Sequence, residues 1–325
     1  MAQAAGSHVA RRTALAGVVA ALALPAAGCG IRLEDDAPRV PFVPTRTPVP
    51  AEPELVALTR DTAALAVLAA TVPGPLAADL ATIHRRQHTV LRTTLVGLQV
   101  PAETLDAAPA PTPSASASVS PSPSASDATP ASGPPASGRA ELAAEEAAAA
   151  AGSTRFADVG DDLSATVAAL HAQRYAAAAL LTGRPPEVPG DLVAGDRVAE
   201  LAASTSAAVY FFEVISARSS GRERVRSDAT LESLRQLRAD QVAGGASPEA
   251  AIGHPLPFDV SASADRTRLA REVLVTLRAG YGEHLGPLVA SDGAAGLAAL
   301  TRWLGTVEVL ANRWGVALVP FPGLE

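Results

Sequence analysis

Residues 161–182, DDLSATVAALHAQRYAAAALLT, predict a long helix and with it an all-α protein. Asp161 and Asp162 supply the negative charge that is favourable at a helix N-terminus. Apolar residues then recur at helical spacing until Gly183 and the pair Pro185-Pro186 end the pattern. The apolar positions of this pattern are Leu163, Val167, Leu170, Leu180 and Leu181.

The same period recurs along the chain, and no stretch alternates as a half-buried strand does. Four helices are predicted before the proline-rich residues 184–190 and four after them, which gives two all-α four-helix bundles in tandem, at 54–183 and 191–325. The eight predicted helices are 54–72, 76–100, 141–151, 161–182, 191–218, 222–242, 263–289 and 293–316. Trp303 and Trp314 lie three turns apart, on one face of the eighth helix, and we expect both in the core.

Two segments have compositions that cannot build a core. Residues 29–53 are rich in proline and predict an extended tether. Residues 107–138 are almost entirely Ala, Pro and Ser, which predicts disorder. Because the entropy of loop closure grows only slowly with length, we interpret this insertion as an expanded surface loop of the first bundle.

Residues 1–28 have the features of a bacterial lipoprotein signal peptide. Arg11 and Arg12 form its charged region, residues 14–24 are apolar, and the small residues 26–28 precede Cys29, the single cysteine of the chain. We therefore expect cleavage between Gly28 and Cys29, and lipid on the Cys29 thiol. The chain would then be held at the extracytoplasmic face of the cell membrane.

Two other interpretations of this segment are weaker. The apolar run is interrupted by Pro25 and falls short of the roughly 20 residues of a membrane span. An ordinary secretory signal would leave Cys29 unpaired in an oxidising compartment. The twin arginines suggest export in the folded state, but Thr13-Ala14-Leu15 lacks the aromatic residue and the lysine usual after such a pair. The export route therefore stays open.

Charge and composition exclude several classes of function. The formal charge of −7 becomes −9 once residues 1–28, which hold two arginines and no acid, are removed. An acidic chain lacks the clustered positive charge that nucleic acid requires as a partner. With Cys29 lipidated, no thiol remains for a disulfide, a thiolate nucleophile or a cysteine metal site.

Residues 193–325 contain the segments Pro255-Leu256-Pro257-Phe258-Asp259-Val260 and Val319-Pro320-Phe321-Pro322-Gly323, as well as the helix start 264–272. With these segments and the chain end 314–323, this part of the chain resembles a ferritin-like domain of unknown function found in actinobacterial lipoproteins. The resemblance implies a four-helix, ferritin-like fold for 191–325 and implies no settled activity.

Metal binding by histidine is the sharpest chemical hypothesis from the sequence. No Glu-x-x-His motif occurs, so the second bundle lacks the ligand pattern of a ferritin-like di-iron site. In the first bundle, His84 and His88 are spaced i, i+4, and His171 lies on the fourth helix. With an acid of the third helix these histidines would suit zinc or copper. The acids of that helix are Glu141, Glu145 and Glu146. The competing interpretation is that the run His84-Arg85-Arg86-Gln87-His88 is solvated surface.

No other catalytic constellation is evident. The serine-rich stretches lie in linkers, where no scaffold holds a nucleophile beside a base. We therefore expect a protein without catalytic activity or cofactor that binds or scaffolds in the cell envelope. Its partners would be the membrane, through the lipid anchor, and an envelope protein or small ligand. The alternatives are a ferritin-like metal-binding protein that uses the histidines of the first bundle, and a carrier of a hydrophobic small molecule between helices.

Overall fold

The computed structural model of the chain describes residues 46–106, 138–247 and 253–325. The predicted signal peptide with Arg11, Arg12, Gly28 and Cys29 lies outside the described residues. So do most of the predicted tether (29–45) and nearly all of the Ala/Pro/Ser insertion (107–137).

Nine α-helices and one short 3₁₀ helix, Ser153–Phe156, build the described part of the chain, which contains no strand. This confirms the all-α prediction. The α-helices are α1 (Glu52–Thr71), α2 (Pro75–Gly97), α3 (Ala102–Asp106), α4 (Gly138–Ala151), α5 (Asp161–Thr182), α6 (Asp196–Arg218), α7 (Gly221–Ala243), α8 (Ser263–Gly282) and α9 (Leu285–Arg313).

Helix ends in the second half differ from those predicted. α6 begins at Asp196, five residues later than expected, and α8 ends at Gly282 rather than near residue 289. α9 then starts at Leu285 and continues through Gly293, which has a φ of 51° and a ψ of −122°. Glycine tolerates this conformation because it lacks a Cβ atom. Gly293 is thus a kink at which two helical stretches of α9 meet, at the position where a helix was predicted to begin. The five-residue α3 was not predicted, because it is too short to produce a periodic pattern.

α5 is buried on nearly all sides and not along a single apolar stripe. The consecutive residues Ala176, Ala177 and Ala178 point in three different directions around it, and all three are buried. The polar residues in its middle are buried as well: they are His171, Gln173 and Arg174. A helix enclosed in this way is the centre of its domain.

α5 and α9 join the two halves of the chain. The Cα of Gly305 on α9 faces α5 so closely that a Cβ built there would lie 2.9 Å from the carbonyl oxygen of Ala172 and 2.5 Å from Cδ1 of Tyr175. One apolar cluster also contains residues from both halves, including Leu170 and Phe212. Residues 46–325 accordingly form one compact unit. The sequence had left open whether the two halves pack together. A division into two bundles at residues 184–190 stays a prediction.

Both tryptophans lie in the core, as expected. Trp303 is 2 % exposed and Trp314 is 1 % exposed. The indole Nε1–H of Trp314 donates to Oγ1 of Thr230 on α7 at 3.0 Å, and its ring meets Phe212 of α6 edge to face at 5.7 Å. Trp314 therefore ties the end of α9 to α6 and α7.

Among the described helices, α6 alone has the length and apolarity of a membrane span, with a mean hydropathy of 1.4. A core helix can meet the same criteria. α6 packs against α7 and α8, and Leu201, Phe212 and Ile215 on it are fully buried.

Gly305→Ala tests the close approach of α5 and α9. The added methyl group has no room, so we expect the free energy of unfolding to fall by about 1–3 kcal/mol. Gly280→Ala on α8 is the matched control, because a Cβ there meets nothing within 4 Å. Alanine suits a helix better than glycine does, so this control should gain about 0.5–1 kcal/mol. Chemical denaturation of both variants measures the difference, and equal stabilities would contradict the close packing.

Candidate functional site

A network of buried polar side chains lies within the first half of the chain, around Arg174 of α5. Its other members come from α1, α2 and α4, and the side chains of the central three, Arg174, Glu146 and His84, are at most 1 % exposed. Polar groups are buried in this way only when they are paired, since an unpaired charge in a core is costly.

Arg174 makes three contacts with its guanidinium group. Nη2 donates to Oγ1 of Thr62 at 3.0 Å, and Nη1 lies 2.8 Å from Nδ1 of His84. Nη1 also lies 3.4 Å from Oε2 of Glu146. The guanidinium therefore holds α5 to α1, α2 and α4 together.

His84 is enclosed by protein partners. Nε2 lies 2.6 Å from Oε1 of Glu146, and a carboxylate only accepts, so Nε2 carries a proton and donates. Nδ1 lies 2.8 Å from Nη1 of Arg174, which is a donor, and 3.1 Å from Oε1 of Gln87, which is an acceptor. Both ring nitrogens are thus engaged with protein partners. A cation placed at Nδ1 would also meet the positive charge of Arg174.

Gln87 extends the network to the segment that follows α9. Its Nε2 donates to the carbonyl oxygen of Pro320 at 2.6 Å and to Oε1 of Gln173 at 3.2 Å. The backbone N–H of Val319, beside Pro320, donates to Oε1 of Glu308 at 3.0 Å. Residues 319–320 therefore bridge buried polar groups of α2 and α9.

A second buried ion pair lies in the other half of the chain. Nη1 of Arg278 on α8 donates to Oε2 of Glu308 on α9 at 2.9 Å, and Glu308 is fully buried. Nε of Arg278 also forms an ion pair with Glu325 at 2.7 Å. Burial raises the pKa of Glu308 above its ordinary value, although the charge and hydrogen bond of Arg278 oppose this.

The three histidines of the metal hypothesis are not brought together as ligands. His171 donates from Nδ1 to the carbonyl oxygen of Ala149 at 3.0 Å and packs against the ring of Phe156, and His88 is half-buried. Within residues 46–106, 138–247 and 253–325, no group of three His, Cys, Asp or Glu side chains is arranged to hold a metal ion.

The surface interpretation of the run 84–88 is wrong for two of its residues. Arg85 and Arg86 are exposed as expected, but His84 and Gln87 are fully buried. Of the acids on α4, Glu141 and Glu145 are exposed and Glu146 is buried. Arg174 was missed altogether. The feature that could have identified Arg174 as a buried polar residue is its position as a lone arginine in a helix of apolar residues and alanines that has no polar face.

Two surface grooves offer space for a ligand, in contrast to the enclosed networks. The α6–α8 groove, of about 470 Å³, is largely apolar, and its walls include Ala207, Phe211, Pro255, Leu269 and Val273. The α7–α9 groove, of about 400 Å³, lies between α5, α7 and α9 and has charged rims. Both volumes fall within the roughly 300–1,000 Å³ of small-molecule sites.

Glu146→Gln tests the ion pair at the centre of the first network. Removing one partner of a buried pair leaves Arg174 uncompensated, so we expect the free energy of unfolding to fall by about 3–5 kcal/mol. Glu145→Gln makes the same chemical change at the exposed neighbouring position and should stay within about 0.5 kcal/mol of the parent. Urea denaturation compares the two variants, and similar losses would contradict a buried pair.

His171 makes stability depend on pH. Burial, together with the charge of Arg174, lowers the pKa of His171 from 6.5 to about 3. Between these pH values the unfolded chain binds a proton that the folded chain does not, so stability falls as the pH falls. The slope from this residue is at most roughly 1.4 kcal/mol per pH unit.

His171→Gln should flatten this pH dependence, since glutamine does not titrate. Unfolding free energies measured across this pH range give the two slopes, and parallel slopes for parent and His171→Gln would contradict the assignment.

Comparisons of the chain with protein-family models, with curated proteins and with solved structures found no match. The function is therefore argued from the residues and contacts of this chain.

Proposed function

We propose that this chain is a lipid-anchored protein of the extracytoplasmic face of the cell membrane, and that its helical part is a non-enzymatic module for binding or scaffolding. The observation that carries the anchor is the order of residues 11–29: two arginines, an apolar run, three small residues and the single cysteine. Signal peptidases of the lipoprotein pathway need this order, because only small side chains give access to the bond before the cysteine.

The structure of the helical part supports a binding or scaffolding role. The buried carboxylates of Glu146 and Glu308 are engaged by Arg174 and Arg278 inside the core. A catalytic group must instead reach a substrate. The surface, in contrast, carries the α6–α8 and α7–α9 grooves, and sites of this size between helices suit small ligands.

We further propose that residues 191–325 form the ferritin-like bundle that the sequence resemblance implies. Four long helices, α6 to α9, follow residue 191 in this part of the chain, which supports the proposal. The buried carboxylate of Glu308 is paired with Arg278 and not with a histidine, in keeping with a bundle that uses its carboxylate for structure. The alternative of metal bound by His84, His88 and His171 is disfavoured, because Arg174 and Glu146 engage both nitrogens of His84.

Cys29→Ala tests the anchor. Without the thiol no lipid can be attached, so we expect the full chain expressed in a bacterium to leave the membrane fraction and to lose incorporation of a labelled fatty acid. Gly30→Ala, one residue further on, is the matched control and should stay in the membrane fraction with its label. A Cys29→Ala protein that remained in the membrane fraction would overturn the anchoring proposal.

A further inference from the structure

The α7–α9 groove has a largely apolar floor between two polar rims. Trp303, Val309 and Leu310 of α9 form part of the floor, together with Leu237 of α7 and Ala179 of α5. An apolar floor favours a ligand with an apolar body, since burying that surface is the main source of affinity.

The two rims carry opposite charges. On α7 the charged residues of the groove are Glu232 and Asp240, both acids, and on α9 they are Arg302 and Arg313, both bases. Glu232 and Asp240 lie eight positions apart in the sequence, which is about 12 Å along a helix. Each rim thus presents one sign of charge along the groove.

These four charges do not neutralise one another. The ion pairs that α7 makes within the described residues use Arg224, Arg235 and Glu223 instead. One N–H of Arg302 donates to the carbonyl oxygen of Val188 at 3.0 Å, and its other N–H groups are available to a ligand. The groove therefore separates opposite charges that a ligand of suitable length can join.

Trp303 and Tyr175 add aromatic rings to the same site. The ring of Trp303 lies against the groove, whereas its indole N–H is buried beneath the surface. Burial raises the pKa of Tyr175 above its ordinary value; a hydrogen bond with Thr306 and the charge of Arg302 lower it, and Asp240 raises it.

We propose that the α7–α9 groove binds a short apolar peptide as a zwitterion, with its carboxylate at the arginines of α9 and its ammonium group at the acids of α7. Carboxylate suits guanidinium because the two can form parallel hydrogen bonds. Ser233, Gln236 and Thr306 offer partners to the peptide amide, and the apolar side chains occupy the floor.

This inference deepens the binding role proposed above, but it does not depend on the anchor. Peptide binding is measured in detergent solution, whereas the anchor is tested by cell fractionation of Cys29→Ala. If the Cys29→Ala protein stays in the membrane fraction while the full chain binds peptide, this proposal is retained and the anchor is lost. If the variant leaves the membrane fraction but the full chain does not bind peptide, the anchor is retained and this proposal is lost.

The test uses the full chain labelled with fluorotryptophan. Because the chain contains two tryptophans, its fluorine NMR spectrum has two resonances, and Trp303→Phe assigns one of them. The probe is the dipeptide Leu-Leu, and its matched partners are N-acetyl-Leu-Leu, which lacks the ammonium group, and Leu-Leu-amide, which lacks the carboxylate. We expect Leu-Leu to shift the Trp303 resonance, and each blocked form to bind at least tenfold more weakly by calorimetry.

Variants of the two rims separate the charges. Glu232→Gln with Asp240→Asn should abolish the preference for Leu-Leu over its N-acetyl form, and Arg313→Gln should reduce the preference over the amide. Glu145→Gln and Arg222→Gln make the same changes at exposed positions outside the groove and should change neither preference.

Three results would overturn the proposal. They are blocked dipeptides that bind as tightly as Leu-Leu, the absence of both heat and resonance shift with Leu-Leu, and equal or tighter binding of glycerophosphoethanolamine. The last result would assign the groove to a phospholipid headgroup, whose zwitterion carries a phosphate in place of the carboxylate.

Discussion

The close contact between α5 and α9 is the constraint on which the rest of the structure depends. It requires a residue without a side chain at Gly305 and small residues along α5, because the carbonyl of Ala172 lies directly opposite. α4 also packs on α5, while α6 and α7 are tied to the end of α9 through Trp314. The abundance of alanine in the centre of the fold therefore has a steric reason, whatever also favours alanine in the composition as a whole.

Each half of the chain places one glutamate in its interior and neutralises it with an arginine. The pairs are Glu146 with Arg174 and Glu308 with Arg278. Burying two charges costs about as much as their attraction returns, so such pairs add little net stability. They do restrict how helices can pack, since any other arrangement leaves a charge unpaired. Arginine suits this task because it offers several donors in a fixed plane: Arg174 donates to more than one side chain, and Arg278 donates to Glu308 and lies 2.7 Å from Glu325.

The sequence predicts the helices well and the polar interior poorly. Apolar spacing predicts eight helices and the buried tryptophans, and proline and glycine mark the helix ends. All of these signals depend only on residues close together in the sequence. The kink at Gly293 lies where the sequence predicts a new helix to begin, and this glycine has a non-helical φ and ψ. The polar interior depends on contacts between residues far apart in the chain. The run 84–88 has the composition of a surface. The burial of His84 is compensated by Glu146 and Arg174, which lie 62 and 90 positions away in the sequence.

The hydrogen bond from Gln87 to Pro320 has a consequence for the order in which the molecule is completed. The two residues are 233 positions apart, so α2 leaves the ribosome long before its acceptor is synthesised. Until the segment after α9 arrives, the amide of Gln87 lacks this acceptor, and a buried amide without one weakens the packing of α2. Contacts this distant in sequence slow folding. The packing of α2 is therefore completed only after the last residues of the chain have been synthesised.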